Sequence, residues 1–567
     1  MKRTSVQGLV LAVVLAACGG DGGTEPADPP VITAVTPAEG TAGTELRIEG
    51  TGFQPGASVS VGGLESPAAE LDGGSVFALV PPGVEPGRTY DVTVANPGSA
   101  NAVLANAFTA VAPTATRVNG VARPTGLIGM TVIIEGSAFG DDPALSDGRV
   151  FFGTSGGTGI EAAIADPVED WSDGFIVTSV PPGVSDTSWI WVETATGVSD
   201  SIEFRLIQSG TFSPSLINWT LTTPLPEPLQ GLGAGFVSIE EGGAPGNHVF
   251  VVGGADGEGA ATDAVYRTSV AESGALGAVW ATLASMPEPR AYHATAAATA
   301  FTAALDTATT GAYLYVIGGL DADGQVTSTV FVGHVDLTGE VTGWTATEAL
   351  PAPLHSARAA LFRGFLYLTG GVGADDEPVA STHRAAIHED GTLGEWQAMS
   401  SLPGPTAYHS FVNFGPYLYV VGGEGAATPV AQATTSGSEK ADVLLARLNL
   451  RNGDLSEAGW TPTASLAKGR SKHSTIFAGG ALLATSGVYA GQPGSSENTA
   501  GDLLSDGAVE SWGGATGSET IDVELHYSLY NQAAVTFIDA GGTGHVLVLG
   551  GARREAPGEP SAAVVYY

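Results

Sequence analysis

Arginine, tyrosine and histidine recur in short clusters over the C-terminal two-thirds of the chain. They are Arg290, Tyr292 and His293, then His355, Tyr408 with His409, Arg470 with His473, and His526 with Tyr527. These types suit anion recognition and proton transfer. A guanidinium can grip a carboxylate through two parallel hydrogen bonds, and an imidazole titrates near neutrality. A second set is acidic: Asp256 and Glu258, Asp321 and Asp323, Asp375, Asp376 and Glu377, and Glu424, with Arg553 and Arg554 as exceptions. The histidines lie in different repeats, without the short ligand intervals of a zinc site. Asp321-Ala322-Asp323-Gly324 begins like a calcium loop and lacks the rest of the pattern, including its distant Glu. Phosphate-binding loops and His-Glu-x-x-His are absent from the sequence. No catalytic residue, metal or other cofactor is assigned.

The elements that must position these residues repeat. Tryptophans fall at 219, 280, 344, 396, 460 and 512. After each, an apolar strand ends in a glycine pair: Gly253-Gly254, Gly318-Gly319, Gly370-Gly371, Gly422-Gly423, the degenerate Ser486-Gly487, and Gly550-Gly551. Trp344, Trp396 and Trp460 each precede the pair by 26 residues, whereas Trp280 and Trp512 precede it by 38. An insertion follows the fourth pair, around Glu424 to Lys440. Asp390-Gly391 and Asp506-Gly507 are hairpin signals ahead of Trp396 and Trp512. Tyr315-Val316-Ile317-Gly318-Gly319 followed by a Trp resembles the Kelch signature, which implies one four-stranded blade per repeat.

Six such repeats imply a six-bladed β-propeller over residues 213–567. The chain ends in Ala563-Val564-Val565-Tyr566-Tyr567, which fits the third strand of the last blade. Leu216-Ile217-Asn218-Trp219-Thr220-Leu221 can supply its fourth and close the ring. Strands alternate direction, so the loops after the Trp strand and after the glycine pair open on one face. An acidic outer mouth around an Arg/His/Tyr inner ring is expected there. Its ligand-binding candidates are Arg290, His293, His409, Arg470, His473, Asp323 and Asp376. The Kelch resemblance carries a competing implication: the Arg and His after the Leu-Pro turn are framework residues, satisfied between neighbouring strands. Burial of Arg290, His293, His409 and Arg470 would defeat both small-ligand readings built on them and leave a loop-mediated protein contact.

Two similar segments precede the repeats. Ile48-Glu49-Gly50-Thr51-Gly52-Phe53 and Val80-Pro81-Pro82-Gly83 in one correspond to Ile134-Glu135-Gly136-Ser137-Ala138-Phe139 and Val180-Pro181-Pro182-Gly183 in the other. This order resembles the IPT/TIG family and implies immunoglobulin-like sandwiches over 31–111 and 112–207, of the kind used as spacers or protein contacts. The fold class expected is therefore all-β: two immunoglobulin-like sandwiches followed by a six-bladed Kelch-type β-propeller.

Met1-Lys2-Arg3, an apolar stretch from Gly8 to Ala17, and Leu15-Ala16-Ala17-Cys18 resemble a bacterial lipoprotein signal, with Cys18 the lipidated residue. Residues 1–17 are then the signal peptide and 18–30, rich in Gly, Pro and acids, a flexible tether. This places the protein in the cell envelope, anchored in a bacterial membrane and facing the periplasm or the outside. The formal net charge of −38, from 59 acids against 21 bases, speaks against a nucleic-acid partner. IPT-like domains beside Kelch repeats resemble the galactose oxidase family, whose copper site needs a Tyr crosslinked to a Cys; Cys18 is the only thiol, so that cofactor cannot form. A second resemblance, to the six-bladed sialic-acid mutarotase, keeps a carbohydrate-active enzyme as the alternative. The balance favours a monomeric binding protein with a protein or carbohydrate ligand at the propeller face.

Overall fold

A computed structural model describes residues 29–566. Left out within that span are 99, 119–123, 127, 155–157, 165–166, 169, 207–218, 242–243, 272, 300–310, 426–438, 451, 479–480, 490–497, 505, 514–528, 539–543, 554–555 and 561–563. Cys18, His526, Tyr527, Arg554 and most of the insertion after Gly423 therefore lie outside the described residues. Residues 29–39 with 45–110 form one compact unit, and 40–44 with 111 onward form a second.

The first unit is a β-sandwich. Val31–Thr36, Glu45–Thr51, Ser75–Leu79 and Ala69–Asp72 make one sheet; Asn101–Ala110, Thr89–Ala95, Ser58–Val61 and Leu64–Glu65 lie in the other. Alternation along the strands sends Leu46, Ile48, Val59, Val61, Val92 and Val94 into the core. Gly50 is required because a Cβ there would strike the Val31 carbonyl and the Phe53 ring.

The second unit begins with a sandwich of the same plan. Thr114–Val118, Thr131–Ser137, Phe175–Ser179 and Trp171–Ser172 form one sheet. Thr187–Thr194, Arg149–Gly153, Gly159–Ala162, Ile202–Leu206 and Thr125–Gly126 form the other. Gly136 repeats the role of Gly50, against the Thr114 carbonyl and Phe139. Phe139, Phe152, Trp171, Ile190 and Phe204 fill the core.

Six four-stranded sheets follow. Their innermost strands are Gly233–Glu241, Ala294–Thr299, Arg358–Phe362, Ser410–Phe414, Ser474–Ala478 and Ala533–Ile538. Each neighbours the next around a ring, and the first neighbours the last. Thr220–Leu221 pairs antiparallel with Val564–Tyr566, so a strand from the start of the propeller forms the outer edge of the sixth blade. That is the closure expected from the sequence.

The repeated tryptophans join blades. Nε1 of Trp280, Trp344, Trp396, Trp460 and Trp512 donates to the carbonyls of Thr223, Ala284, Glu348, Ser400 and Ala464 respectively, at 2.8–3.2 Å, each in the preceding blade. Tyrosines in the second strands do the same work in the other direction. Tyr315, Tyr367 and Tyr419 donate to the carbonyls of Gly391, Gly453 and Gly507, in hairpins of the following blade.

The second sandwich is clamped to the propeller. Ile133, Phe175 and Val177 pack against Phe362 and Leu450. Arg363 lies over the Phe175 ring at 4.4 Å and 3.5 Å from Glu135, and Arg447 meets Asp170 at 2.7 Å. These propeller residues lie at or beside hairpins between first and second strands or between third and fourth. The sandwich therefore occupies the face opposite the loops that follow the Trp strands and the glycine pairs.

Candidate functional site

A glycine pair ends each second strand because both positions need left-handed backbone. Gly253, Gly318, Gly370, Gly422, Ser486 and Gly550 have φ of 55–63°, and their successors have 90–115°. At the fifth pair Ser486 takes the strained conformation without glycine's freedom. The crowding is real on both sides. A Cβ on Gly370 or Gly422 would press on Cε1 of His409 or His473 in the next blade. One on Gly423 or Gly487 would press on Cβ of the same histidines, and Gly253 and Gly319 bracket His293 in the same way. Each histidine is thus wedged in the seam between two blades.

The five Arg and His candidates are 0–3 % exposed: Arg290, His293, His409, Arg470 and His473. Arg290 is held by Glu288 at 2.6 Å, by Thr329 and by the Pro289 carbonyl, with Phe331 beneath it. Arg470 donates to the Ala484 carbonyl at 3.3 Å. His409 Nε2 lies 2.9 Å from Thr369 Oγ1. Burial, with nearby guanidinium charge, lowers His293 and His409 to about 3 and His473 well below its ordinary value. The imidazoles are neutral at physiological pH and enclosed by backbone. The open polar pocket expected from these five side chains is not what the geometry presents; they belong to the interblade seams. Of them only His293 also borders the axial space.

Asp323 and Asp376 are exposed in loops after the glycine pairs. They do not join the five buried residues. Asp321 caps its own turn by accepting from the amides of Asp323 and Gln325, and Asp256 does so from Glu258 and Ala260. These acids serve turn formation. Among the described residues no three His, Cys, Asp or Glu side chains come together as a metal site.

The axis itself is organised by a ring of which the sequence singled out only Tyr292 and Tyr408. One residue per blade, just before each inner strand, is left-handed: Gly231, Tyr292, Ser356, Tyr408, Lys472 and Asn531, with φ of 51–59°. The amide of each donates to the carbonyl of the one before it, and Gly231 donates to Asn531, closing a ring of six bonds at 2.7–3.3 Å. Five of the six carry a Cβ in a conformation that costs roughly 1–2 kcal/mol for an L-residue. The cyclic bonding over-determines them.

Two residues after each ring member the inner strand begins. That position holds Gly233, Ala294, Arg358, Ser410, Ser474 and Ala533. Five are small and one is arginine. Arg358 reaches into the space that the small residues leave, and it lines an axial cavity with Tyr292, His293, Ser356, Tyr408, Asn531 and Gln532. The free space there is about 10 Å³, room for a single water. Its guanidinium lies deep in the ring yet keeps contact with that space, and burial lowers its pKa without discharging it. Tyr292 has a buried hydroxyl with no hydrogen-bond partner among the described residues. Burial raises the Tyr292 and Tyr408 phenols, so both are neutral.

Lys472 adds a second cation to the ring, but a neutralised one. Its ammonium sits 3.1 Å from Glu424, both side chains at 0 % exposure, and 5.0 Å over the Tyr408 ring. Ser471 donates to the same carboxylate at 2.7 Å. The signal for Arg358 was available in principle: aligning the six repeats on the residue after the ring exposes the odd one out.

Comparison with known proteins gives a family for the N-terminal sandwich only. Residues 30–110 match the IPT/TIG domain. No curated protein matches the chain. Among solved structures, one titled "Structure of YjhT" aligns at a TM-score of 0.43 and 14 % identity, covering 61 % of this chain and 96 % of that one.

Proposed function

We propose that the protein is a lipid-anchored, extracytoplasmic binding protein whose propeller receives a carboxylate-bearing ligand on its axis at Arg358. The observation that carries this reading is the break in the repeat: five blades offer a small residue at the start of the inner strand, and one offers a guanidinium facing the axial space. The ring face is also free of the second sandwich, which packs at the other end of the blades. A carboxylate reaching the axial space would meet Arg358, with the Tyr292 and Tyr408 side chains alongside it. So small a space favours a terminal group, such as a protein C-terminus or the carboxylate of an acidic sugar, over burial of a whole ring. Cys18 and the segment 18–30 supply anchor and tether in this reading, and the sandwiches are spacers. Loss of membrane association in Cys18→Ala, with the fold intact, is the expected outcome of fractionation.

The test of the axial site is thermal unfolding of the full chain with N-acetylneuraminate, and with a short peptide as free acid and as C-terminal amide. A ligand that binds only the folded state raises the midpoint by mass action. The charged probes should raise it by a few degrees and the amide should not. Arg358→Gln should abolish the difference. Equal shifts for acid and amide would remove the reading.

The alternative, a carbohydrate-active enzyme similar to the sialic-acid mutarotase, draws on the same Arg358 with Tyr292 and Tyr408 beside it. Accelerated anomer exchange of N-acetylneuraminate, measured by NMR, would select it.

A further inference from the structure

Three turns border the axial ring, one from each of blades one to three. Ala255, Leu320 and Val372, just beyond the glycine pairs, bridge Gln230, Ala291 and His355, the residues that precede ring members Gly231, Tyr292 and Ser356. Each segment then folds back on itself. The amides of Asp256, Asp321 and Gly373 donate to the carbonyls of Ala260, Gln325 and Glu377 at 2.9–3.0 Å. The segments that carry these turns are thus bonded one residue away from the ring, on the face that the second sandwich leaves free.

The turns form a rim of one sign. Residues 256–260, 321–325 and 373–377 hold seven carboxylates and no Lys, Arg or His. Asp256, Asp321 and Asp375 accept from amides of their own turns. The other four, Glu258, Asp323, Asp376 and Glu377, are exposed and have no ion-pair partner among the described residues. Burial lowers the neighbouring His355 to about 4, with Asp376 close enough to oppose the shift. That imidazole is neutral at physiological pH and supplies no countercharge.

The axis has the opposite character. Arg358 Nη1 donates to the Ala357 carbonyl at 3.2 Å, and no carboxylate pairs with the guanidinium among the described residues. Tyr292 is 6 % exposed, and its hydroxyl has no partner among them either. Lys472, the ring's ammonium, is neutralised by Glu424. An unpaired guanidinium and an unused hydroxyl on one cavity suit a carboxylate, yet the rim outside repels one. At physiological salt exposed charges act over about 8 Å, so uncompensated carboxylates at the entrance lower the local concentration of a simple anion. A ligand with positive charge behind its carboxylate is drawn by the same field.

We infer that the axial site takes the C-terminal carboxylate of a basic peptide segment, with the carboxylate at Arg358 and the preceding Lys or Arg side chains against the acidic rim. The inference rests on the axial reading above and narrows its ligand class. Free space of about 10 Å³ admits a chain end and little more. An extended chain advances about 3.3 Å per residue, so the few residues before the terminus can present cations to acids spread over three blades. An acidic sugar, whose carboxylate sits directly on its ring, brings no such spread of positive charge.

The test is isothermal titration of the full chain with acetylated hexapeptides ending in Lys-Lys-Leu or Gln-Gln-Leu, each as free acid and as C-terminal amide. Each acid should bind tighter than its amide. The basic acid should bind about tenfold tighter than the neutral acid, and that gap should close as salt is raised. In the combined variant Glu258→Gln, Asp323→Asn, Asp376→Asn and Glu377→Gln, with its thermal midpoint showing the fold intact, the basic acid should fall to the affinity of the neutral one. Basic and neutral acids of equal affinity, both tighter than their amides, overturn this inference and leave the axial reading standing. A gap that survives in the folded variant overturns it as well. A basic amide that binds as tightly as the basic acid overturns both, because the rim alone then holds the peptide. Tighter binding of N-acetylneuraminate than of the basic acid would assign the axis to an acidic sugar and overturn the inference.

Discussion

The interblade seams and the axis of this propeller use arginine in opposite ways. In the seams, Arg290 and Arg470 occupy equivalent positions, two residues before the ring member, and are closed in by backbone carbonyls, strands and, for Arg290, by Glu288. On the axis, Arg358 has no counterpart in any other blade and faces free space. In a repeat protein, chemistry that recurs is architecture: a side chain that answers to the same neighbours in each blade is positioned by those neighbours. Chemistry that breaks the repeat has no such duty.

The contrast can be broken most severely at the seam that closes the ring. Deleting Ser213 to Leu221 removes the outer strand of the sixth blade, which pairs with Val564–Tyr566. Cooperative thermal unfolding of the propeller should then be lost, and a truncated chain with an unchanged midpoint would refute the closure.

A more selective comparison sets two arginines against each other. Arg290→Ala strips a buried cation from Glu288 and Thr329 and opens a hole beside Phe331; denaturant titration should show a loss of about 3–5 kcal/mol. Arg358→Ala relieves a cation of a desolvated site and should change stability by no more than about 1 kcal/mol. Equal losses in the two variants would erase the distinction between seam and axis.

The histidines give an effect confined to acid pH. His293 and His409 have folded values of about 3, against an ordinary 6.5. Between those limits the unfolded chain binds protons that the folded chain refuses. Their contribution is therefore fully present above pH 6.5 and is lost as pH falls towards 3, by about 1.4 kcal/mol per pH unit for each histidine. His409→Gln, which places there the residue found at the equivalent Gln532, should flatten the acid slope by that amount. An unchanged slope would mean that this imidazole does protonate in the folded state.

Much of the architecture was legible because it rests on local repetition. Trp, the glycine pair and the Asp-Gly hairpins mark strand ends by backbone conformation, and six copies in register leave few other folds. The two sandwiches were readable for the same reason, through Gly50 and Gly136, each fitted under a neighbouring strand and a Phe. The closing strand followed from counting what the last blade lacked. The site was less legible. Arg290 and His293 carry the side chains of a binding site, and only the packing of one blade on the next shows them enclosed. The ring from Gly231 to Asn531 shares a tripeptide only at Ala291-Tyr292-His293 and Ala407-Tyr408-His409, and it becomes one object only when the blades close. Arg358 looked like an ordinary strand residue. Nor could a linear reading show that Glu135 and Asp170 of the sandwich meet Arg363 and Arg447 of the propeller, because those pairs join residues more than two hundred positions apart.

The measurement closest to the central claim is the Arg358→Gln variant read for stability and ligand response together. The protein should unfold at nearly the wild-type midpoint while losing the stabilisation that free-acid probes confer and their amides do not. A variant that unfolds early, or one that still distinguishes acid from amide, would contradict the assignment of the axis as the binding site.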